Sequence, residues 1–132
     1  MTDIKNFYFA KSHEWLSNYP NSNNDYSLGI SDFAQSELGD VVYIQLPQAG
    51  KQYKKGEKIG EIESVKSVSE IYAPVDLTIK NINSNLNETP ELINNNPYGE
   101  GFIAKVELNN PSDLSLLMDN NSYESFIKSN HE

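Results

Sequence analysis

The 132-residue chain contains no cysteine and no arginine. Absence of cysteine excludes disulfides, thiolate metal sites and cysteine nucleophiles. Any sulfur redox chemistry must then come from a group that the protein carries. The two histidines, His13 and His131, are too few for a multi-histidine metal site. No Gly-rich phosphate loop, nucleophile elbow or His-Glu-x-x-His pair is present, so a self-sufficient enzyme is not expected. No stretch approaches the ~20 apolar residues that span a bilayer. The first residues, Met1-Thr2-Asp3-Ile4-Lys5-Asn6, lack both the apolar core of a secretory signal and the Arg-rich character of a transit peptide. The expected compartment is the cytoplasm of a bacterium, or the mitochondrial matrix if a presequence is absent from this sequence. With arginine missing, all ten basic residues are lysines, against 19 acidic ones, for a net charge of −9. Scattered lysines on so acidic a chain make no phosphate-neutralising face. Neither nucleic acid nor a membrane is therefore expected as a partner. Basic patches on other proteins are.

What is present reads as one domain, residues 1–132, long enough to bury a core. Short aromatic and branched segments predict strands at Phe7–Ala10, Glu14–Ser17 and Tyr26–Ile30. The polar stretch Tyr19–Asp25 between the last two is a loop. Ser31–Gly39 reads as a short helix, with Ser31 or Asp32 to cap its start and Gly39 to end it. Val41–Leu46 alternates as a strand, with Val42, Ile44 and Leu46 predicted on one face and Val41, Tyr43 and Gln45 on the other. Further strands are predicted at Ile59–Ser64, Ser69–Tyr72, Leu77–Ile82 and Gly101–Leu108. Asn110-Pro111 caps a helix carrying Leu114, Leu117 and Met118. A second helix, starting near Asn121 or Ser122, carries the apolar stripe Tyr123, Phe126 and Ile127. The fold class is mostly β, a β-sandwich or flattened barrel with small flanking helices and helices at the C-terminus. Asparagines crowd the region from Asn81 to Asn96. Interleaved Ile82, Leu86, Leu92 and Ile93 make this a folded surface of biased composition.

The most informative run is Gly60-Glu61-Ile62-Glu63-Ser64-Val65-Lys66-Ser67-Val68-Ser69-Glu70-Ile71-Tyr72-Ala73-Pro74-Val75. One lysine lies between two strand-like segments that carry carboxylates. A lysine at a hairpin tip is presented to solvent, where a modifying enzyme can grasp it.

This run resembles the lipoylation hairpin of the glycine cleavage system H protein, and the resemblance extends over nearly the whole chain. It is carried by Ser12-His13-Glu14-Trp15 and by Gly29-Ile30-Ser31-Asp32-Phe33-Ala34-Gln35 with Leu38-Gly39-Asp40-Val41-Val42-Tyr43-Ile44-Gln45-Leu46-Pro47. The Lys66 run and Asn96-Pro97-Tyr98-Gly99-Glu100-Gly101-Phe102 complete it. The hairpin alone would indicate some lipoyl-type domain; four blocks in order are specific to the H protein. The resemblance implies a hybrid lipoyl-domain fold and a lipoyl group, the sole cofactor, amide-linked to Lys66. It implies a non-catalytic shuttle. The aminomethyl group of glycine would pass from the P protein, a pyridoxal-phosphate decarboxylase, to the T protein, an aminomethyltransferase, and the dithiol to the L protein, a dihydrolipoyl dehydrogenase. A lipoate ligase or lipoyl/octanoyl transferase is a further implied partner.

Other positions carry over in the same way. Ser12, Glu14 and Glu70 match a cleft that shelters the loaded arm. A carboxylate such as Glu14 could hold the protonated amine by a charge-assisted hydrogen bond. Glu70 stands where the family commonly has Asp. His13 and Trp15 alternate with Ser12 and Glu14, so this block also reads as a strand with a structural tryptophan. Glu63, Ser64 and Val65 are candidate recognition residues for the lipoylating enzyme, and Asn96–Gly99 is a structural loop. One departure is Asp76-Leu77, where the family usually ends in glycine. Leu77 gives up cheap access to positive φ, which predicts a locally different turn and an altered lipoylation surface. A second role, relaying lipoyl or octanoyl groups to other enzymes, fits the same residues.

Overall fold

The computed structural model describes residues 6–18 and 25–131; the predicted loop at Tyr19–Asp25 lies almost wholly outside them. Its strands are β1 (Tyr8–Phe9), β2 (Glu14–Asn18), β3 (Asp25–Ile30), β4 (Val41–Gln45), β5 (Gln52–Tyr53), β6 (Lys58–Ser64), β7 (Val68–Tyr72), β8 (Leu77–Ile82) and β9 (Ala104–Leu108). Its helices are α1 (Asp32–Leu38), α2 (Asn85–Glu88), α3 (Leu92–Asn95) and α4 (Asn120–His131), with a 3-10 turn at Pro111–Leu116. One antiparallel sheet has the order β1-β2-β3-β9-β8-β5 and the other β4-β6-β7. Of the two architectures expected, the sandwich is observed: two open sheets, not a closed barrel. Among the described residues no helix is long and apolar enough to cross a membrane.

Leu16, Leu28, Leu77, Ile79 and Val106 from the larger sheet meet Ile44, Ile62 and Ile71 from the smaller in one buried cluster. Alternation sends Trp15 and Phe9 to the outer face of the larger sheet. There they form a second cluster with Phe7 and Tyr123, flanked by Phe126 and Ile127. The stripe predicted on α4 is the one that packs, with Tyr123 stacked on Phe9 at 4.4 Å.

Four expectations need correction. Val42 is half exposed while Val41 and Ile44 are buried, because the register with β6 shifts between Val41 and Tyr43. A bulge sets two residues against one and resets the alternation beyond it. Leu77 is fully buried in β8, opposite Tyr53 and Leu108. His13 alone among described non-glycine residues has positive φ, so position 77 is neither a turn nor a surface that another enzyme could read. The asparagines are more than compositional bias. Asn83 Nδ2 donates to the carbonyls of Glu100 and Phe102 at 2.9 and 2.7 Å, joining two loops. Gly101 proves to be loop, its N–H bonded to Asn96 O at 2.8 Å, so the last strand begins only at Ala104.

Candidate functional site

Lys66 sits at the tip of the β6–β7 hairpin, exposed. Ser64 builds the turn. Its N–H donates to Ser67 O at 2.8 Å. Its hydroxyl oxygen accepts from the N–H groups of Lys66 and Ser67 at 3.3 and 3.1 Å and donates to Ser67 O. Ser64 is 6 % exposed, so of the three candidate recognition residues it is the one facing inward. Val65 is 67 % exposed and Glu63 is exposed too, in register with Val68 on one side and Tyr43 on the other.

The tip rests on the loop that leaves α1. Val65 N–H donates to Asp40 O at 3.0 Å, and a side chain at Gly39 would meet Lys66 Cε at 3.3 Å. Gly39 has φ +81°, so both the backbone and the neighbouring lysine stem select glycine there. Asn94 on α3 ties this platform together: it accepts from Val41 N–H and donates to Gly39 O, both at 2.9 Å, and to Gln35 Oε1 at 3.0 Å.

Beside the hairpin runs a cleft of about 390 Å³. One wall is α1, contributing Phe33, Ala34, Glu37 and Leu38; the other is the free edge of β7 from Ser67 to Ile71, with Ile62 behind it. Ser12, His13 and Glu14 close its far end. All three arm-contact candidates, Ser12, Glu14 and Glu70, line this one cleft. They do so because the backbone departs from a plain strand. His13 adopts φ +78° in a tight turn where its N–H bonds to Ala10 O and the Ala10 N–H to Glu14 O, both at 2.9 Å. The Ser12 hydroxyl thereby reaches Glu14 Oε1. Trp15 is structural, its Nε1–H donating to Ile30 O at 2.9 Å.

Glu14 is 1 % exposed. Besides Ser12, the Tyr72 N–H donates to its Oε2 at 3.1 Å; no salt bridge reaches it among the described residues. Burial pushes its carboxyl up from 4.5 to about 7, against the opposing pull of the Ser12 and Tyr72 hydrogen bonds. Glu70 is the opposite case. Exposed at the rim, it accepts from the Tyr72 hydroxyl at 2.6 Å and pairs with Lys58 at 3.5 Å, which hold it below the usual carboxylate range. Burial lowers the His13 imidazole, with Glu37 opposing. The sequence reading missed His13, Phe33, Ala34 and Glu37 as cleft residues; the signal for the last three was their common helix, one turn apart.

A lysine displayed on a braced hairpin, beside a half-apolar cleft that holds a buried carboxyl, is the arrangement of a carrier domain. The sequence pattern of the glycine cleavage H-protein family matches residues 7–130, and the chain belongs to that family, the lipoyl carrier of the glycine cleavage system. It is 43 % identical over 127 residues to the glycine cleavage system H protein of Coprothermobacter proteolyticus, covering 96 % of this chain and 98 % of that one. It is 46 % identical to a probable glycine cleavage system H protein of Pyrococcus abyssi, covering 92 % and 90 %. A crystal structure of the Mycobacterium marinum H protein superposes with a TM-score of 0.78 at 28 % identity, over 97 % of this chain and 98 % of that one.

Proposed function

We propose that Lys66 is the lipoylated residue, and that the chain acts as a single non-catalytic carrier domain between the P, T and L proteins. A lipoate ligase or lipoyl/octanoyl transferase would load it. The relatives named above are bacterial and archaeal, and the cytoplasm is the compartment proposed. The observation that carries this reading is the cleft lined from Ser67, next in sequence to the exposed lysine, to the buried Glu14, which no salt bridge reaches among the described residues. These residues suit the group. Lys66 offers a terminal amine with no ion pair among the described residues. Ile30, Phe33, Leu38, Ile62 and Ile71 offer apolar contact for a hydrocarbon chain. When bound, a lipoyl group supplies the sulfur chemistry that a cysteine-free chain lacks, taking up the aminomethyl group and returning as a dithiol for reoxidation.

The remaining work falls to the protein's own side chains. Ser64 and the Gly39 platform hold Lys66 out for its partners, and tethering makes each transfer effectively intramolecular once a partner has docked. Glu14, ionised beside a cationic amine, would hold that amine by a charge-assisted hydrogen bond, with Ser12 and the Tyr72 N–H fixing its orientation. Glu70 adds negative charge at the mouth. Glu63 and Val65, exposed next to Lys66, are the surface that a lipoylating enzyme would read, while Ser64 would act by shaping the turn. The test is intact and peptide mass spectrometry after incubation with lipoate, ATP and a lipoate ligase. One lipoyl increment mapped to Lys66, absent in Lys66→Arg, is expected; an increment elsewhere, or none, would overturn the assignment.

A further inference from the structure

Tyr123 lies on the C-terminal helix, 57 residues beyond Lys66 in the sequence, and is 2 % exposed. Its ring stacks on Phe9 at 4.4 Å, which explains its burial but not its hydroxyl. That hydroxyl makes two bonds of 2.6 Å, one to His13 Nδ1 and one to Ser31 Oγ. The two partners belong to the end of the cleft and to the start of one of its walls. His13 is the positive-φ residue between Ser12 and Glu14. Ser31 is the N-cap of α1, whose oxygen also accepts from Ala34 N–H at 3.1 Å. A single phenol thus joins the turn that presents the buried carboxyl to the helix that forms one wall.

The hydrogens have one self-consistent order. Ser31 is fully buried, and its oxygen already accepts from the Ala34 amide. Among the described residues the Ser31 hydroxyl hydrogen finds an acceptor only in the Tyr123 oxygen, so the Tyr123 hydrogen points at His13 Nδ1. The imidazole is then neutral, with its proton on Nε2. The reverse order would leave the Ser31 hydrogen buried without a partner, which costs about 1–3 kcal/mol.

A non-glycine residue at positive φ is held there only by its surroundings. The local restraints on His13 are its N–H to Ala10 O and its carbonyl accepting from Ser31 N–H, both 2.9 Å; its ring packs beside Phe33 at 5.1 Å, and the Tyr123 hydroxyl is the hydrogen-bond partner of its side chain among the described residues. The C-terminal helix is itself secured. Phe9 and Met118 exchange backbone bonds of 2.8 Å just before it, and Asp119 caps it through Ser122 N–H at 2.8 Å.

We propose that Tyr123 is a positioning residue for the carrier site: through His13 and Ser31 its hydroxyl sets the placement of Glu14 and the width of the cleft, making the C-terminal helix part of the arm-docking machinery. This rests on the reading of Glu14 as the partner of the carried amine. Tyr123→Phe keeps the ring and its stacking and removes only the clamp. Without the clamp, water reaches Glu14, and its carboxyl moves back toward the ordinary range.

The test uses the full chain in two forms. In unlipoylated protein, carbon NMR of the Glu14 carboxyl follows its titration. Tyr123→Phe is expected to lower the midpoint by about one pH unit or more, with an unchanged far-ultraviolet spectrum. In lipoylated protein loaded with the aminomethyl group, the half-life of the cargo toward hydrolysis is expected to fall at least threefold in Tyr123→Phe. Glu14→Gln should also shorten it, and the double variant should decay no faster than Glu14→Gln alone. Should Glu14→Gln leave the half-life unchanged, the reading of Glu14 fails, and the titration alone judges Tyr123. If Glu14→Gln shortens it while Tyr123→Phe changes neither titration nor half-life, the proposal is overturned. If Tyr123→Phe does not fold, nitrogen NMR of His13 in the parent decides. An unprotonated Nδ1 at neutral pH supports the clamp, and a protonated one refutes it.

Discussion

Replacing Glu14 by glutamine should make the protein more stable at neutral pH while disabling its site. The carboxyl titrates near 4.5 when unfolded and at about 7 in the folded protein, chiefly because burial penalises the anion. At about 1.36 kcal/mol per pH unit, that gap is about 3 kcal/mol. Below pH 4.5 the group is protonated in both states and costs nothing. Between 4.5 and about 7 the folded protein keeps a proton that the unfolded chain releases, so stability falls as pH rises. Above about 7 the folded protein holds a buried anion and the full amount is lost. Glutamine has no proton to lose. Its amide oxygen can accept from the Tyr72 N–H and its NH₂ can donate to the Ser12 oxygen, replacing both bonds that Glu14 makes. Other carboxylates also titrate, so the informative quantity is the difference between variant and parent. Urea unfolding of both at several pH values from 4 to 8 measures it. The curves should coincide near pH 4 and diverge to about 3 kcal/mol in favour of the variant by pH 8. A constant difference across this range would refute the reasoning. Such a gain would mark Glu14 as a residue kept at a cost in stability, as expected of a site whose charge awaits a cationic guest.

Three further outcomes follow from the geometry. Ser64→Ala removes the acceptor of the Lys66 and Ser67 amides. It should cost about 1–2 kcal/mol in urea unfolding and slow lipoylation of Lys66, measured by mass spectrometry against time. Leu77→Ala should cost about 2–5 kcal/mol, because it empties a fully buried strand position, yet leave the lipoylation rate unchanged in protein that remains folded. Gly29→Ala would bring a methyl to 2.6 Å from the Trp15 ring. An expected loss of about 1–3 kcal/mol, with a changed tryptophan emission, would report the overpacking.

Most of the framework was legible in the sequence, since it depends on short-range physics. Alternation over Leu77–Ile82, the Ser31 cap, the Asn110-Pro111 start and the Tyr123–Phe126–Ile127 stripe each express a local period or a local hydrogen bond. The lysine was legible because its flanking residues form a contiguous motif. What failed had a common cause. The face assignment of Val42 broke on a bulge, and a bulge depends on how a neighbouring strand pairs. Leu77 reads as a lost glycine turn in one dimension and is a packed core residue in three. Asn94 looked like compositional bias, yet its amide braces the lysine platform across 53 to 59 residues of sequence.

By itself the sequence determined that the chain has no sulfur chemistry of its own, that it is a β-rich acidic protein, and that one lysine is presented between two strands. Only the tertiary structure decided what that lysine can reach. Glu14 becomes a carboxyl of raised pKa because β2, β7 and α1 close around it. Desolvation is a property of the whole surrounding shell, and no residue's neighbours in sequence specify it. His13 leaves the strand, and Tyr123 joins the site, for the same reason: hydrogen bonds between residues 92 and 110 positions apart are choices of the folded chain.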